Sequence, residues 1–294
     1  MNALSVKGLT KSFGANKVID NISFNVPEGS VFGFIGANGA GKTTTMNMAL
    51  GFLKPDSGEI SACGEKVWYG RTVKSIGYLP DVPEFYSYMR PIEYLLLCGE
   101  LLGMDRVKIK KRGGELLELV GLSKANRKIG GFSRGMKQRL GIAQALLGEP
   151  RLLICDEPTS ALDPIGRKEI LDIITAVKGQ TTVIFSTHIL SDVERICDRA
   201  AILHGGKIAL SGTLAELKKR RADSYNVEFA DKADADIFCT ALKPENLSVS
   251  ENAVTVNNTD GGLLLSIITQ NKLIPIKFEL LEPTLESLYI EVAL

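Results

Sequence analysis

The sequence contains no apolar run long enough to cross a bilayer and no apolar leader at its start. Apolar stretches such as Tyr94–Cys98 and Leu263–Ile268 are short core segments, whereas a spanning helix takes roughly 18 apolar residues or more. Residues 1–11 lack the apolar region of a secretory signal. We therefore expect a chain that does not span a membrane by itself and is not secreted.

Cysteine and histidine are both scarce. The five cysteines are odd in number and widely spaced, and none forms a C-x-x-C pair. Such a set does not build a disulfide framework, so it predicts reduced, mostly buried thiols in a cytosolic protein. A zinc site is not expected, since only His188 and His204 are available to complete one. The cysteines are Cys63, Cys98, Cys155, Cys197 and Cys239.

Charge and glycine are distributed unevenly along the chain. From Asp223 onward there are 12 acidic and 4 basic residues, against 22 and 31 before it, and only two of the 29 glycines lie beyond residue 222. We therefore predict two domains, residues 1–222 and residues 223–294. The basic run at 218–221 has two interpretations, a contact with nucleic acid or anionic lipid and the solvated C-terminal end of a helix; the second is favoured.

Glycine is concentrated in Gly36–Thr44, GANGAGKTT, which fits the phosphate-binding pattern G-x-x-x-x-G-K-S/T. Glycines let backbone N–H groups surround a phosphate, and a following helix adds free amides and the positive end of its dipole. Lys42 is expected at the β- and γ-phosphates and Thr43 on Mg²⁺. The apolar run Val31–Ile35 predicts a strand before the loop. Helical spacing after it is shown by Met46, Ala49, Leu50 and Leu53.

Two further segments place polar groups after buried strands. In RLLICDEP, Asp156 is expected to hold Mg²⁺ through its water shell, and Glu157 to polarise an attacking water. The strand at Thr182–Phe185 leads to Ser186, Thr187 and His188, at the end of a strand where open α/β sheets bind ligands.

A second helix start also favours an anion. Ser133 is predicted to cap a helix that continues through Leu140, Ala143 and Leu147 and is closed by Gly148. A glycine-serine turn before a helix binds phosphate well. The chain thus has two phosphate-binding devices but only one Lys42.

The order of GANGAGKTT, FSRGMKQR, LLICDEP, SALD and STH resembles the nucleotide-binding subunit of ATP-binding cassette transporters over residues 1–222. The resemblance implies an α/β P-loop NTPase cassette with a mixed sheet core, an antiparallel β subdomain and a helical subdomain. It implies that Phe13 stacks on adenine, Glu157 is the general base, Asp163 lies in the dimer-contact loop and His188 senses the γ-phosphate.

The implied site residues form three sets. The catalytic set is Lys42, Glu157 and His188. The ATP-binding set is Phe13, Gly36, Ala37, Asn38, Gly39, Ala40, Gly41, Lys42, Thr43, Thr44, Ser133 and Gly135. The Mg²⁺ set is Thr43, Asp81 and Asp156.

The resemblance also implies the assembly. Two subunits would pair head to tail with ATP between them, so that Lys42 of one and Ser133 of the other grip the same nucleotide. The pair would be a homodimer or two paralogous cassettes. It would sit on the cytoplasmic side of the cell membrane, as a peripheral protein beside a separate transmembrane permease, with ATP and Mg²⁺ as cofactors and no nucleic acid.

The sequence departs from the family pattern at two positions. The signature, usually L-S-G-G-Q, reads Phe132–Met136, FSRGM; Arg134 either adds positive charge near the γ-phosphate or points to solvent, and solvent is favoured. This S-x-G-M form is similar to the branch that exports drugs, antibiotics and peptides. Asp81 stands where the family has glutamine. A carboxylate can still hold a metal-bound water, and it adds negative charge beside Asp156 and Glu157.

Residues 84–150 are mostly helical by pattern. In the family, such an insert and the loop at residue 81 form a groove for a coupling helix of the permease. An aromatic group near this groove has two open interpretations, permease contact and local core. Its members are Phe85, Tyr86, Tyr88 and Met89.

The C-terminal segment alternates in the order β-α-β-β-α-β, which predicts a small α+β domain of split βαβ type, followed by a helix over 284–292. Its role is open between regulation or dimer support and a structural appendage.

These observations predict an ATP-hydrolysing subunit of an exporter. The alternative is a soluble cassette ATPase acting on ribosomes or nucleic acid. A P-loop kinase would leave Ser133, Asp163 and His188 unexplained.

Overall fold

A computed structural model describes residues 1–219, 224–242, 247–257, 259–281 and 284–293. The chain divides into two compact units, Met1–Leu214 and Ala215–Leu294. The domain boundary predicted between residues 222 and 223 lies outside the described residues, as do Arg220 and Arg221 of the basic run. No helix among the described residues has the length and apolar character needed to pass through a bilayer.

The first unit contains an antiparallel sheet. Apolar side chains alternate along its second strand, where Ile22, Phe24 and Val26 are buried and the residues between them are exposed. This period of two places one face of the sheet on the core. The strands are β1 (Asn2–Phe13), β2 (Asn16–Pro27), β4 (Ser57–Ala62) and β5 (Glu65–Lys66), in the order β2-β1-β4-β5.

A six-stranded sheet forms the centre of the same unit. Its strands are β3 (Val31–Ile35), β6 (Ile76–Leu79), β7 (Leu152–Asp156), β8 (Thr182–Thr187), β9 (Arg199–His204) and β10 (Lys207–Thr213). The order is β10-β9-β3-β8-β7-β6, and all neighbours are parallel except β9 and β10. β3, β7 and β8 are buried throughout, as continuous apolar runs in parallel sheets are.

The register of this sheet brings strand ends together. Ile35 pairs with Thr187, and Asp156 pairs with Ser186. The loops that follow β3, β7 and β8 therefore leave the sheet side by side, at the carboxyl edge where ligands bind in open α/β sheets.

The helices of the first unit follow the sequence pattern except at their ends. They are α1 (Lys42–Ala49), α2 (Pro91–Leu101), α3 (Arg106–Leu119), the 3₁₀ turn Ile129–Gly131, α4 (Arg134–Leu146), α5 (Pro164–Val177) and α6 (Leu190–Ile196), and α7 (Leu214–Lys219) spans the unit boundary. Leu50 and Leu53 lie beyond α1, because Gly51 adopts a left-handed φ of 76° that closes the helix. Lys218 and Lys219 form the last turn of α7, as the helix-end interpretation of the basic run expects.

The second unit has the predicted β-α-β-β-α-β order. Its elements are β11 (Ser224–Phe229), α8 (Lys232–Ala241), β12 (Leu247–Ser250), β13 (Ala253–Val256), α9 (Gly261–Gln270), β14 (Pro275–Leu281) and α10 (Leu285–Ala293). The sheet order is β12-β13-β11-β14, with antiparallel neighbours. Val227 and Phe229 of β11 pack with Phe238 of α8 and Leu264 of α9, so both helices cover one face of the sheet. The predicted α/β cassette with a small split βαβ domain is confirmed.

Candidate active site

The phosphate-binding loop joins β3 to α1 in the conformation that its glycines permit. Gly39 and Gly41 have φ of 81° and 103°, and Gly41 is the N-cap of α1. A Cβ at Gly41 would lie 2.5 Å from Ile19 Cδ1, so both the backbone angle and the neighbouring β2 strand require glycine there. The Gly36 N–H donates to the Thr187 carbonyl at 3.3 Å, which ties the loop to β8.

Lys42 is the buried cation of the site. Only 5% of the residue is exposed, and Nζ donates to the carbonyls of Gly36 at 2.8 Å and Ala37 at 3.1 Å. The same atom lies 3.0 Å from Glu157 Oε1. A buried ammonium needs such partners, because desolvation without them is costly.

Glu157 lies between two basic side chains. His188 Nδ1 is 3.0 Å from Oε2, while Oε1 faces Lys42 but accepts no directed hydrogen bond from the described residues. The backbone of Glu157 has a φ of 48°, a left-handed conformation that is strained for a residue with a side chain. This conformation is fixed by two bonds from its N–H, to Ser186 Oγ at 3.0 Å and to the Ser186 carbonyl at 3.2 Å.

Ser186 connects the two acidic residues of β7. Its hydroxyl donates to Asp156 Oδ1 at 2.5 Å while its oxygen accepts from the Glu157 N–H. Asp156 is 2% exposed, so the serine supplies a hydrogen bond that this buried carboxylate needs. Ser186 belongs to the segment Ser186–His188 that the sequence analysis singled out, but its hydrogen bond to Asp156 was not predicted.

Asp81 contacts the signature helix of its own chain. Arg134 Nη2 lies 3.3 Å from Asp81 Oδ1, and Gln138 Nε2 donates to the Asp81 carbonyl at 2.6 Å. Burial raises the pKa of the Asp81 carboxyl; Arg134 and His188 oppose this shift, and Asp156 and Glu157 add to it. Arg134 is exposed, in line with the favoured expectation, and its guanidinium also lies within ion-pair distance of the Asp81 carboxylate.

One cleft of about 360 Å³ brings together most of the predicted residues. It also includes Val18 and Ser160, which were not predicted. Val18 belongs to β2, and only the packing of that strand against the loop brings it here. The lining residues are Val18, Asn38, Gly39, Gly41, Lys42, Thr43, Thr44, Asp81, Glu157, Ser160 and His188.

Six predicted ATP-binding residues do not line this cleft: Gly36, Ala37 and Ala40 belong to the phosphate-binding loop, and the other three are Ser133, Gly135 and Phe13. Ser133 caps α4, where its Oγ accepts the Met136 N–H at 3.2 Å, and Gly135 is in the first turn of that helix. Phe13 ends β1 and is 51% exposed, with Lys11 Nζ 5.4 Å from the ring centroid.

A buried network that sequence reasoning missed holds the loop after β7. Asp192 of α6 is 2% exposed and accepts from Thr159 Oγ1 and Arg167 Nε, each at 2.7 Å. These bonds fix the segment that follows Glu157 to the helix that follows His188. They join residues 25 and 33 positions apart, so no local pattern marks them.

The donors predicted for Mg²⁺ are hard oxygen ligands. Thr43 and Asp81 share the cleft, and Asp156 ends the neighbouring strand. Mg²⁺ suits such a set, because it usually takes one or two protein ligands and fills its shell with phosphate and water oxygens. Within the described ranges, no group of three or more His, Cys, Asp or Glu could hold a metal without such help.

The aromatic group after Asp81 divides between the two interpretations. Phe85 packs edge-on against Tyr94 at a centroid distance of 5.0 Å, whereas Tyr86 and Tyr88 are 54% and 66% exposed. Phe85 is therefore partly buried against α2, and the two tyrosines present an outward surface.

The known proteins that this chain resembles are ABC transporter proteins. Residues 19–160 match the family described as ABC transporter. The chain is 41% identical to the uncharacterized ABC transporter ATP-binding protein YxlF of Bacillus subtilis (strain 168), covering 98% of this chain and 99% of that protein. It is 42% identical to the bacitracin transport ATP-binding protein BcrA of Bacillus licheniformis, over 78% of this chain and 76% of that protein.

Solved structures show the same likeness. The structure titled "Structure of ATP binding subunit of ABC transporter" aligns with a TM-score of 0.66 at 33% identity, covering 74% of this chain and 92% of that one. The structure of cbiO1 from Clostridium perfringens, described as part of the ABC transporter complex cbiONQ, aligns with a TM-score of 0.68 at 28% identity, covering 74% of this chain and 90% of that one.

Proposed function

This chain belongs to the ABC transporter family as an ATP-binding, ATP-hydrolysing subunit, and from that premise we propose that it powers export of a drug, antibiotic, peptide or similar substrate. The substrate would pass through a separate transmembrane permease. The similarity to a bacitracin transport ATP-binding protein supports this class of substrate. The proposed assembly is peripheral on the cytoplasmic side of the membrane.

The observation that carries the mechanism is the position of Glu157 in the cleft. One carboxylate oxygen is held by His188, and the other lies 3.0 Å from Lys42 Nζ beside the phosphate loop. A carboxylate in this position accepts a hydrogen bond from a water and takes its proton as the water attacks the γ-phosphate. His188 keeps the carboxylate oriented, and Lys42 neutralises charge on the β- and γ-phosphates.

We propose that Thr43 and Asp156 hold Mg²⁺, with Asp81 contributing through a bound water. The ion would neutralise phosphate charge as the β–γ bond breaks. Asp156 is oriented for this by the Ser186 hydroxyl, which donates a hydrogen bond to its buried carboxylate.

We propose that ATP is shared between two cassettes, either two copies or a paralogous pair. Ser133 caps α4 and Gly135 lies in its first turn, and neither lines the cleft that contains their own Lys42. A second cassette that presents its α4 N-terminus would supply the missing phosphate contact and the favourable end of a helix dipole. Phe13 is exposed and available to stack on adenine. We propose residues 1–222 as this cassette and residues 223–294 as a small accessory domain.

The experiment is Glu157→Gln. The amide keeps the shape of the side chain but cannot take a proton, so ATP binding should persist while hydrolysis falls by about 10²-fold or more. Glu118→Gln, an exposed position on α3, is the matched control and should behave as the parent. Hydrolysis by Glu157→Gln at the parental rate would remove the base assignment.

The transport assignment has its own test. The chain should co-purify with a permease from detergent-solubilised membranes. Recovery with ribosomes or nucleic acid instead would favour the soluble alternative.

A further inference from the structure

Strand β14 is an edge of the sheet in the second unit. It pairs with β11 on one side, and within the part of the chain that the structure describes no strand pairs with its other side. Every second residue of an edge strand therefore turns its backbone N–H and C=O groups outward. Such an edge is a template for another strand.

The exposed side chains of β14 include large apolar residues as well as charged ones. Phe278 pairs with the core residue Val227, so its face is the one that the helices cover. Leu280, two residues from Phe278, shares that face and is 53% exposed, and Ile276, at the register shift beside Phe229, is 66% exposed. The opposite face carries Lys277 and Glu279.

The sequence of β14 is complementary to itself about Phe278. When two copies of PIKFELL run antiparallel with Phe278 opposite Phe278, Lys277 of each faces Glu279 of the other, and Ile276 faces Leu280. Opposite charges and apolar pairs directly across an antiparallel ladder both stabilise it. Registers centred on Lys277 or Glu279 would instead place like charges opposite each other, which is destabilising.

This register also keeps the two sheets in phase. Residues two positions apart in a strand share a face. A pairing in which the numbers of opposite residues differ by an even amount therefore places the helix-covered faces of the two sheets on the same side. The two copies would then form one eight-stranded sheet with α8 and α9 of both copies on the same face.

We propose that β14 pairs with β14 of a second copy of this chain, antiparallel and centred on Phe278, and so joins the two accessory domains. The partner is thus identical in sequence. The contact is separate from the shared ATP site and needs no nucleotide.

The charges of the polar face favour a second copy. Within one chain Lys277 is 2.6 Å from Glu279 and is also opposite Glu228 of β11, so a single lysine serves two carboxylates. Pairing about Phe278 brings a second lysine to each Glu279. Both sheets gain an ion pair without loss of the existing one.

The expected interface is short. Standard stable interfaces bury about 1,200–2,000 Å², and one pair of seven-residue strands is a smaller contact. It would therefore act as a tether that raises the local concentration of the second cassette before ATP closes the pair.

The experiment is sedimentation velocity of the full chain without nucleotide, over a range of concentrations. The parent should associate into dimers. K277E and E279K, each alone, place like charges opposite each other twice per dimer, so each should weaken dimerisation by about tenfold or more. An equal mixture of the two variants should dimerise as the parent does, because the acidic strand of one chain then faces the basic strand of the other.

The mixing experiment distinguishes strand pairing between two chains from loss of the ion pair within one chain. Both variants lose the internal pair of residues 277 and 279, and mixing cannot restore it. K232E reverses an exposed charge at the start of α8 and is the matched control, expected to dimerise like the parent. A monomeric parent, unchanged dimerisation in the single variants or no gain on mixing would each overturn the proposal, and none of these results bears on ATP hydrolysis.

Discussion

At the scale of single residues, the two histidines of the chain provide a controlled comparison. His188 holds Glu157 Oε2, whereas His204 is exposed at the end of β9. We expect His188→Ala to lower kcat for ATP hydrolysis by about 10–100-fold, because a misplaced base loses its alignment with the attacking water. KM should change little, since phosphate binding is assigned to the loop.

His204→Ala should leave both constants at the parental values. Steady-state ATPase measurements over a range of ATP concentrations check both variants. Equal effects of the two substitutions would refute the assigned role of His188.

The pair of Asp81 and Arg134 is expected to be weak. Both side chains are nearly half exposed, at 45% and 44%, and exposed ion pairs contribute roughly 0.2–1 kcal/mol. A double-mutant cycle with Asp81→Asn and Arg134→Gln, read out by denaturant unfolding, should give a coupling free energy in that range. A coupling of zero would mean that the contact does not persist in solution.

The buried thiols predict a loss of stability at alkaline pH. Burial raises the pKa of Cys155 well above 9.0, the ordinary value for a thiol, and raises the pKa of Tyr78 to about 12. The unfolded chain releases the thiol proton above pH 9 and the tyrosine proton above pH 10, while the folded chain keeps both in these ranges. The free energy of unfolding should therefore fall as pH rises, by about 1.4 kcal/mol per pH unit for a fully buried thiol.

Chemical denaturation between pH 8 and pH 10.5 measures this slope. Cys155→Ala should lower stability at every pH because it leaves a cavity, but its slope above pH 9 should be shallower than that of the parent. Parallel curves would contradict the assignment to Cys155.

At the scale of elements, two glycines with positive φ separate backbone strain from steric conflict. Gly41 has a φ of 103°, and a Cβ there would lie 2.5 Å from Ile19 Cδ1, whereas Gly179 has a φ of 84° with nothing within 4 Å of a Cβ. Gly179→Ala should cost about 1–2 kcal/mol, the cost of the left-handed backbone alone. Gly41→Ala should cost more and should also weaken ATP binding, because the loop must move.

Thermal unfolding and nucleotide titration of both variants check this prediction. If Gly41→Ala bound ATP like the parent, the loop conformation described for residues 36–44 would not be needed for binding.

Elements were predictable where the signal is local. Val31–Ile35 was predicted as a strand to the residue, because a continuous apolar run follows a turn and precedes glycine. The end of α1 was not predicted correctly. Gly51 ends the helix through a left-handed φ, and helical spacing does not reveal such an angle. Ser133 was recognised as an N-cap because the cap is a contact within three residues.

The site was predictable as far as its motifs extend along the chain. Lys42, Glu157 and His188 each belong to a motif with its own spacing, and parallel strand order brings them together. Val18 and Asp192 could not be found this way. Val18 reaches the cleft only through the packing of β2 on the loop, and Asp192 acts through partners 25 and 33 residues away.

At the scale of the whole molecule, the central claim is that two cassettes share each ATP. Lys42 and Ser133 are on different elements, and Ser133 does not line the cleft of its own Lys42. A single chain therefore lacks part of the phosphate contacts that the resemblance implies. A second cassette would supply them.

The most direct test mixes two inactive variants, Lys42→Ala and Ser133→Ala. In a mixed pair, one site receives both intact residues and the other receives neither. An equal mixture should recover about a quarter of the parental ATPase rate, since half of the pairs are mixed and each mixed pair has one of two sites intact. No activity in a mixture of two folded, ATP-pairing variants would contradict the shared site.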